Sequence, residues 1–209
     1  MTEQGSAEWF AMRAGKVTAS KIADMLAKTK TGWGASRANY KAQLVAERLT
    51  GIVDRNGYTN AAIEWGKETE AEARTAYEFE TGIEVDPVDF VEHPRIAMSG
   101  ASPDGLVGTG GLLEIKCPIT ATHIDTLLGR SIPGKYQLQM QWQMACTGRS
   151  FCDFCSYDPR MPQDMRLFIR RLSRDDARIA EIEVEVRAFL AEVDSTVGSL
   201  TQMYRSEAA

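Results

Sequence analysis

At 209 residues, 44% hydrophobic and 25% charged, the chain is long enough for one well-packed domain and too short for two comfortable ones. Its opening, Met1-Thr2-Glu3-Gln4-Gly5-Ser6, is polar and no apolar run approaches membrane-spanning length, so a soluble cytoplasmic protein is expected rather than a secreted or membrane-embedded one. The formal net charge of −5 hides a division: residues 1–55 carry nine Lys/Arg against five Asp/Glu, whereas 173–209 carry four against eight, which leaves the basic share where phosphate contact would suit it.

Near the amino terminus, Trp9, Arg13, Gly15, Thr18, Ala19 and Ser20 stand in the order Trp-x-x-x-Arg-x-Gly-x-x-Thr-Ala-Ser. Taken alone, the string reads as a helix start followed by core packing, with Arg13 in solvent. Residues 28–35, rich in Lys, Thr and Gly, read as a flexible loop. Glu64-Trp65-Gly66-Lys67-Glu68-Thr69-Glu70 then opens a helix in which Trp65, Ala73 and Tyr77 recur at helical intervals. Short strands are expected over 90–91, 96–99, 106–107, 112–116, 151–157 and 166–172. The sum is an α/β fold with a central mixed sheet flanked by helices.

The densest chemistry lies at Ser102-Pro103-Asp104-Gly105 and Leu113-Glu114-Ile115-Lys116. Between them Gly108-Thr109-Gly110-Gly111 offers the positive-φ residues of a tight reversal, so the two pieces form a hairpin. Side chains alternate along a strand, which puts Glu114 and Lys116 on one face and Leu113 and Ile115 on the other. Asp104, Glu114 and the Ile115 carbonyl are the oxygen donors that a hard cation such as Mg²⁺ prefers, and Lys116 stands where it can orient a water or stabilise charge developing on phosphorus. A bare Glu-x-Lys triplet is more often a solvated pair on a surface hairpin; the Ser-Pro-Asp-Gly prefix at the right gap reverses those odds.

Further on, residues 134–144 read as a second helix on which Tyr136, Gln139 and Gln143 form one stripe and Leu138 and Trp142 an apolar one. Spacing alone favours an ordinary exposed Gln139. Cys152 and Cys155 form a Cys-x-x-Cys pair without a second pair, and His93 and His123 lie far from it in sequence, so packing cysteines on a buried strand are expected instead of a zinc site. Asp158-Pro159-Arg160-Met161-Pro162 makes the turn to the last strand. A C-terminal amphipathic helix over 173–203, opened by Ser173 with Asp176 three residues on, carries Ile179, Ile182, Val186, Phe189, Leu190, Val193 and Val197 as its apolar stripe.

Asp104 with Glu114-Ile115-Lys116 resembles the core motif of the PD-(D/E)XK nuclease superfamily. The Trp9-to-Ser20 string, the Trp65-Gly66-Lys67 helix, the Ser-Pro-Asp-Gly hairpin with Glu-x-Lys-Cys-Pro, and the Tyr136-x-x-Gln139 helix together resemble the phage lambda-type alkaline exonuclease family, from about Trp9 to Met161. The resemblance implies a restriction-endonuclease-like single domain over 1–209. It implies Asp104, Glu114 and the Ile115 carbonyl as metal ligands, Lys116 as partner of the attacking water, Glu70 assisting a second ion through water, and Gln139 placing the lysine or the nucleophile. The cofactor it implies is Mg²⁺, with Mn²⁺ as a substitute and two ions per site. A terminal 5′-phosphate would be held by Arg13, Ser20 and Ser102, with Trp9, Ile63 and Tyr136 near the DNA end.

The implied activity is 5′ to 3′ digestion of one strand of linear double-stranded DNA to mononucleotides, leaving a 3′ overhang for a single-strand annealing protein, by a homotrimer ring. The residues by themselves reach only metal-dependent phosphodiester hydrolysis. A PD-(D/E)XK endonuclease or junction resolvase, and a catalytically silent DNA-end-binding adaptor, stay open beside it. Two departures from the family pattern stand out. An arginine expected after Glu-x-Lys-Cys-Pro aligns near Thr122, with Arg130 the nearest further on, and an extra acidic residue before the hairpin has no equivalent among His93, Pro94 and Arg95.

Overall fold

A computed structural model of the chain describes residues 5–53 and 60–205, the side chains of 60–64, 66–68 and 205 excepted. In chain order the elements are α1 (Ala7–Arg13), β1 (Val17–Thr18), α2 (Ile22–Met25), β2 (Lys28–Thr29), β3 (Gly32–Trp33), α3 (Ala35–Thr50) and α4 (Asn60–Thr81). There follow β4 (Val85–Asp86), β5 (Val91–Glu92), β6 (Ser99–Ala101), β7 (Gly105–Val107), β8 (Gly111–Lys116), α5 (Thr120–Gly129) and α6 (Gly134–Thr147). Strands β9 (Phe151–Tyr157) and β10 (Leu167–Ser173) and helix α7 (Asp176–Arg205) complete them.

The expected central mixed sheet is present, five strands in the order β10-β9-β8-β7-β4. Strands β8 and β9 are parallel and the other neighbours antiparallel. A parallel pair needs a long crossover, and α5 and α6 supply it. A smaller sheet, β1-β6-β5, lies outside it.

Alternation along β8 and β9 feeds two cores. Leu112, Cys152 and Phe154 join Trp142 and Met144 of α6 and Ile179, Ile182, Val186 and Phe189 of α7. Leu113, Ile115, Cys155 and Tyr157 face the other way, onto Ala73 and Tyr77 of α4. Cys152 and Cys155 thus occupy opposite faces of one strand and cannot share an ion; both are buried packing thiols.

Three expectations are displaced. The strand expected over 96–99 begins at Ser99, because Met98 takes a left-handed φ of 58° and ends a turn there. Residues 28–29 and 32–33 of the expected loop pair as a hairpin. The last helix starts at Asp176 because Ser173 still pairs with Phe151, and Asp175, not Ser173, caps it by accepting from the Arg178 N–H at 2.9 Å.

Helix α6 is buried over the whole run from Gln139 to Cys146. Gln139, expected as an exposed glutamine on spacing alone, therefore lies in the interior together with Gln141 and Gln143. A buried amide left unpaired costs about 1–3 kcal/mol, so each of these needs a partner, and two of the three find it on β8.

Candidate active site

The hairpin of β7 and β8 forms with its reversal at Gly108, whose φ is +52°. Its ladder ends at the pair Gly105 and Leu113, and beyond it the strands part. Asp104 N still donates to the Leu113 carbonyl at 3.1 Å, but Ile115 N donates to the Asp104 side chain, at Oδ2, at 2.6 Å. The N–H and C=O of a strand residue face the same side, so the Ile115 carbonyl is directed toward Asp104 as well. A carboxylate has replaced a main-chain partner at the point where the strand opens.

Glu114 points to the opposite face of β8 and is 0% exposed. Gln139 Nε2 donates to its Oε1 at 2.6 Å, Gln143 Nε2 to its Oε2 at 2.5 Å, and the Lys116 ammonium pairs with Oε1. Lys116 also lies 5.3 Å above the Tyr136 ring of α6. Burial alone would push the ammonium down, but the charges of Glu114 and Asp104 outweigh it and hold Lys116 above its ordinary range. Lys116 is therefore a fixed cation.

From α4, Glu70 enters the same field. Burial raises its carboxyl despite the opposing charges of Arg74 and Lys116. Arg74 stands 3.7 Å from Glu70 and donates through Nη2 to the Asp104 carbonyl at 2.5 Å, tying the helix to the hairpin. The Asp104 carboxyl is pushed well above its usual range, first by burial and then by the negative charges of Glu114 and Glu70. Among the described residues no three His, Cys, Asp or Glu side chains close on one point as a self-sufficient cage. The oxygen set is two carboxylates and a main-chain carbonyl, with excess negative charge out of water. That is a donor set for a hard cation keeping part of its water shell.

A cavity of about 530 Å³ is lined by Trp9, Arg13, Lys16, Thr18, Ser20 and Lys21, among others. Helix α1 is capped by Ser6, whose side chain accepts from Trp9 N at 3.1 Å, and the four-residue spacing of Trp9 and Arg13 puts them on one face. The Arg13 guanidinium lies 4.0 Å from the Trp9 ring centre and donates through Nη1 to Ser102 Oγ at 2.8 Å. The chain then turns at Gly15, whose φ of +66° and 2.7 Å clearance to Arg48 leave no room for a Cβ. Its N–H and carbonyl are taken by Glu47 and Arg48.

The structure thus brings Asp104, Glu114, Ile115, Lys116 and Gln139 together and sets Glu70 in their field. Arg13 and Ser20 line one cavity with Trp9, and Ser102 is joined to it through its bond from Arg13 without lining it. Tyr136 sides with Lys116, stacked on Phe154 at 5.5 Å, rather than with that cavity. The side chain of Ile63 lies outside the described residues. Thr122 is half-buried, and Arg130 is an exposed left-handed cap of α5 that does not line the cavity. Lys16 and Lys21 are the further cations there. Sequence reasoning missed Arg74 and assigned no role to Gln143. The stripe shared by Gln139 and Gln143 was the available signal for the second, whereas the i, i+4 spacing of Glu70 and Arg74 signals only a helix-surface pair and not the main-chain acceptor that Arg74 also reaches.

A family model described as a YqaJ-like viral recombinase domain matches residues 8–150. Among solved structures the chain resembles an alkaline exonuclease, LHK-Exo, from Laribacter hongkongensis at 52% identity, over 98% of this chain and 100% of that one, with a TM-score of 0.89. LHK-Exo in complex with dAMP superposes with a TM-score of 0.90 at the same identity and coverage. A phage-related exonuclease from Haemophilus somnus 129PT shares the fold at 16% identity, over 88% of this chain and 96% of that one, with a TM-score of 0.72. Comparison with curated proteins gives no match.

Proposed function

The chain belongs to the YqaJ-like viral recombinase family, and from that premise we propose that it is a divalent-metal-dependent exonuclease that digests one strand of linear duplex DNA from its 5′ end to mononucleotides. Likeness to an alkaline exonuclease along nearly the whole chain supports the deoxyribonuclease activity. The single observation that carries the reading is the opening of the β7–β8 hairpin, where Asp104 bonds Ile115 N at 2.6 Å beside the buried Glu114 and its Lys116 partner. An adaptor that only grips an end has no chemical need for that set.

Asp104, Glu114 and the Ile115 carbonyl would hold Mg²⁺, with Mn²⁺ as a substitute, and Glu70 would reach a second ion through water. A bound divalent cation supplies Lewis-acid polarisation of the phosphate and a more acidic water. Lys116, held as an ammonium, orients the attacking water and offsets charge developing on the phosphate oxygens. Gln139 keeps the Glu114 carboxylate in place while Lys116 shares the same oxygen.

The cavity beside Arg13 takes the terminal 5′-phosphate: a guanidinium offers it a forked contact, and the hydroxyls of Ser20 and Ser102 donate without a counter-charge. Trp9, Tyr136 and Ile63 would meet the nucleotides at the DNA end. The product would be a 3′ overhang for a single-strand annealing protein. A ring of three chains would supply processivity, since a chain of this size does not enclose a duplex alone.

The test uses linear duplex labelled separately at each terminus, with 5′-phosphate ends, 5′-hydroxyl ends and a closed circle, in Mg²⁺ and in EDTA. Release of the 5′ label as mononucleotide, faster from phosphorylated ends, and absent on the circle and in EDTA, is the expected result. Cutting of the circle would make the protein an endonuclease, and binding without cleavage would make it an adaptor.

A further inference from the structure

Gln143 lies wholly inside the protein, at 0% exposure, on the face of α6 that meets β8. Its Nε2 donates to Glu114 Oε2 at 2.5 Å, and its Oε1 accepts from the Cys152 thiol at 3.8 Å. Gln139, one helical turn earlier, donates to the other oxygen of the same carboxylate at 2.6 Å. An ionised carboxylate only accepts, so each glutamine must present nitrogen to it. For Gln143 the far end of the amide then offers oxygen to its surroundings. Cys152, on the neighbouring strand and fully buried, has the S–H that this oxygen requires.

We infer that Gln143 is a positioning residue for Glu114, that Gln139 and Gln143 together fix the plane of its carboxylate, and that the Cys152 thiol supports the orientation of the Gln143 amide which the carboxylate demands. The inference rests on the reading of Glu114 as a metal ligand. Two donors on opposite oxygens prevent rotation about the last side-chain bond, which a single donor permits. A flipped Gln143 would set its carbonyl oxygen against Glu114 Oε2, lone pair to lone pair, and the Cys152 thiol, shared between Gln143 Oε1 and the Asp153 carbonyl, adds a weaker preference for the orientation that avoids this. Partners of this kind behind a metal-ligating carboxylate typically change metal affinity by about 10–100-fold when lost.

The experiment measures Mn²⁺ affinity by electron paramagnetic resonance on the intact, DNA-free protein, and in parallel the Mg²⁺ concentration giving half-maximal digestion, for wild type, Gln143→Met, Cys152→Ala, Cys152→Ser and Glu114→Gln. Methionine keeps the length and approximate volume of glutamine and removes both hydrogen bonds. Gln143→Met is expected to weaken Mn²⁺ binding about tenfold and to raise the Mg²⁺ requirement in step, with KM for DNA unchanged. Cys152→Ala is expected to weaken it by a smaller factor, and Cys152→Ser, which keeps a donor, to bind nearly as wild type. Wild-type Mn²⁺ affinity in Gln143→Met, with affinity lost in Glu114→Gln, overturns the role of Gln143 and leaves that of Glu114. Wild-type affinity in Glu114→Gln overturns the metal reading itself. Should Gln143→Met not fold, Gln143→Asn, whose amide is one carbon too short to reach Glu114 Oε2, replaces it in the same measurement, and wild-type affinity there overturns the role of Gln143; unchanged affinity in Cys152→Ala overturns the part given to the thiol.

Discussion

Arg13 Nη1 donates to Ser102 Oγ at 2.8 Å, joining residues 89 positions apart and placing a guanidinium beside the segment that carries Asp104. The serine hydroxyl can accept from Arg13 and still donate to an anion, so the pair is suited to grip phosphate as a unit. Loss of a charged hydrogen-bonding partner costs about 1.5–3 kcal/mol, roughly 10–100-fold in binding. Arg13→Gln should therefore erase most of the preference for 5′-phosphorylated over 5′-hydroxyl ends while leaving metal affinity as in wild type. Digestion rates on the two kinds of end check this, and a preference that survives the substitution would move the phosphate elsewhere.

Much of this arrangement is legible in the sequence. The gap between Asp104 and Glu114, the glycines between them and the alternation after Leu112 specify a hairpin by local rules, and the β7–β8 ladder follows them. What escaped depends on non-local packing. Arg74 grips the Asp104 carbonyl only because α4 lies against this part of the sheet, and no side-chain pattern records a main-chain acceptor. Gln139 reads as a surface residue until α6 is seen to be buried on nearly every side. At the last helix, Ser173 and Asp175 are both competent caps in sequence, and pairing of Ser173 with Phe151 decides between them.

Gly105 shows why the Ser-Pro-Asp-Gly run ends in glycine. A Cβ there would fall 2.2 Å from Val85 Cγ1 and 3.0 Å from Arg74 Nη1, between β4 and the arginine that holds Asp104. Either the Val85 side chain turns or β4 moves outward, and Arg74 is crowded next to the Nη2 with which it holds Asp104, so a shift is passed on to that residue. Gly105→Ala should cost about 1–3 kcal/mol of stability, the usual range for overpacking, measured from the urea midpoint. Its kcat should fall further than stability alone explains, by about tenfold or more, in line with a displaced catalytic group. Wild-type kcat in a folded Gly105→Ala protein would show that Asp104 tolerates the shift.

Asp158 gives a pH dependence of stability with a definite sign. Burial would push its carboxyl up, but hydrogen bonds from Arg160 and Thr120 outweigh it and hold the group down at about 2. Arg160 donates to Oδ1 through Nε at 2.7 Å and through its main chain at 3.0 Å. An unfolded aspartate titrates near 3.9. The folded value lies below the unfolded one, so the stabilisation is complete above about pH 4 and is lost as pH falls toward 2. Urea midpoints of wild type and Asp158→Asn should differ at about pH 6, converge as the pH drops through that window, and meet near its lower end. A gap that stays constant with pH would assign the role of Asp158 to geometry instead of charge.

Lys116 separates the proposed chemistry from mere binding. Its side chain is 27% exposed, so it reaches the open end of the site, while its ammonium is held by the wholly buried Glu114. The Glu114 and Asp104 charges hold it above its ordinary range, so in the proposed chemistry it would act by field and orientation, not by accepting a proton. Lys116→Ala should then lower kcat by about 10²–10³-fold, the range for removing one electrostatic stabiliser of a transition state, with KM for DNA little changed. Lys116→Arg should recover only part of the loss, because a planar fork does not reproduce the contact that the compact ammonium makes with the buried Glu114 carboxylate. A Lys116→Ala protein that digests linear duplex at the wild-type rate would sink the mechanism, since no other described lysine or arginine pairs with Glu114.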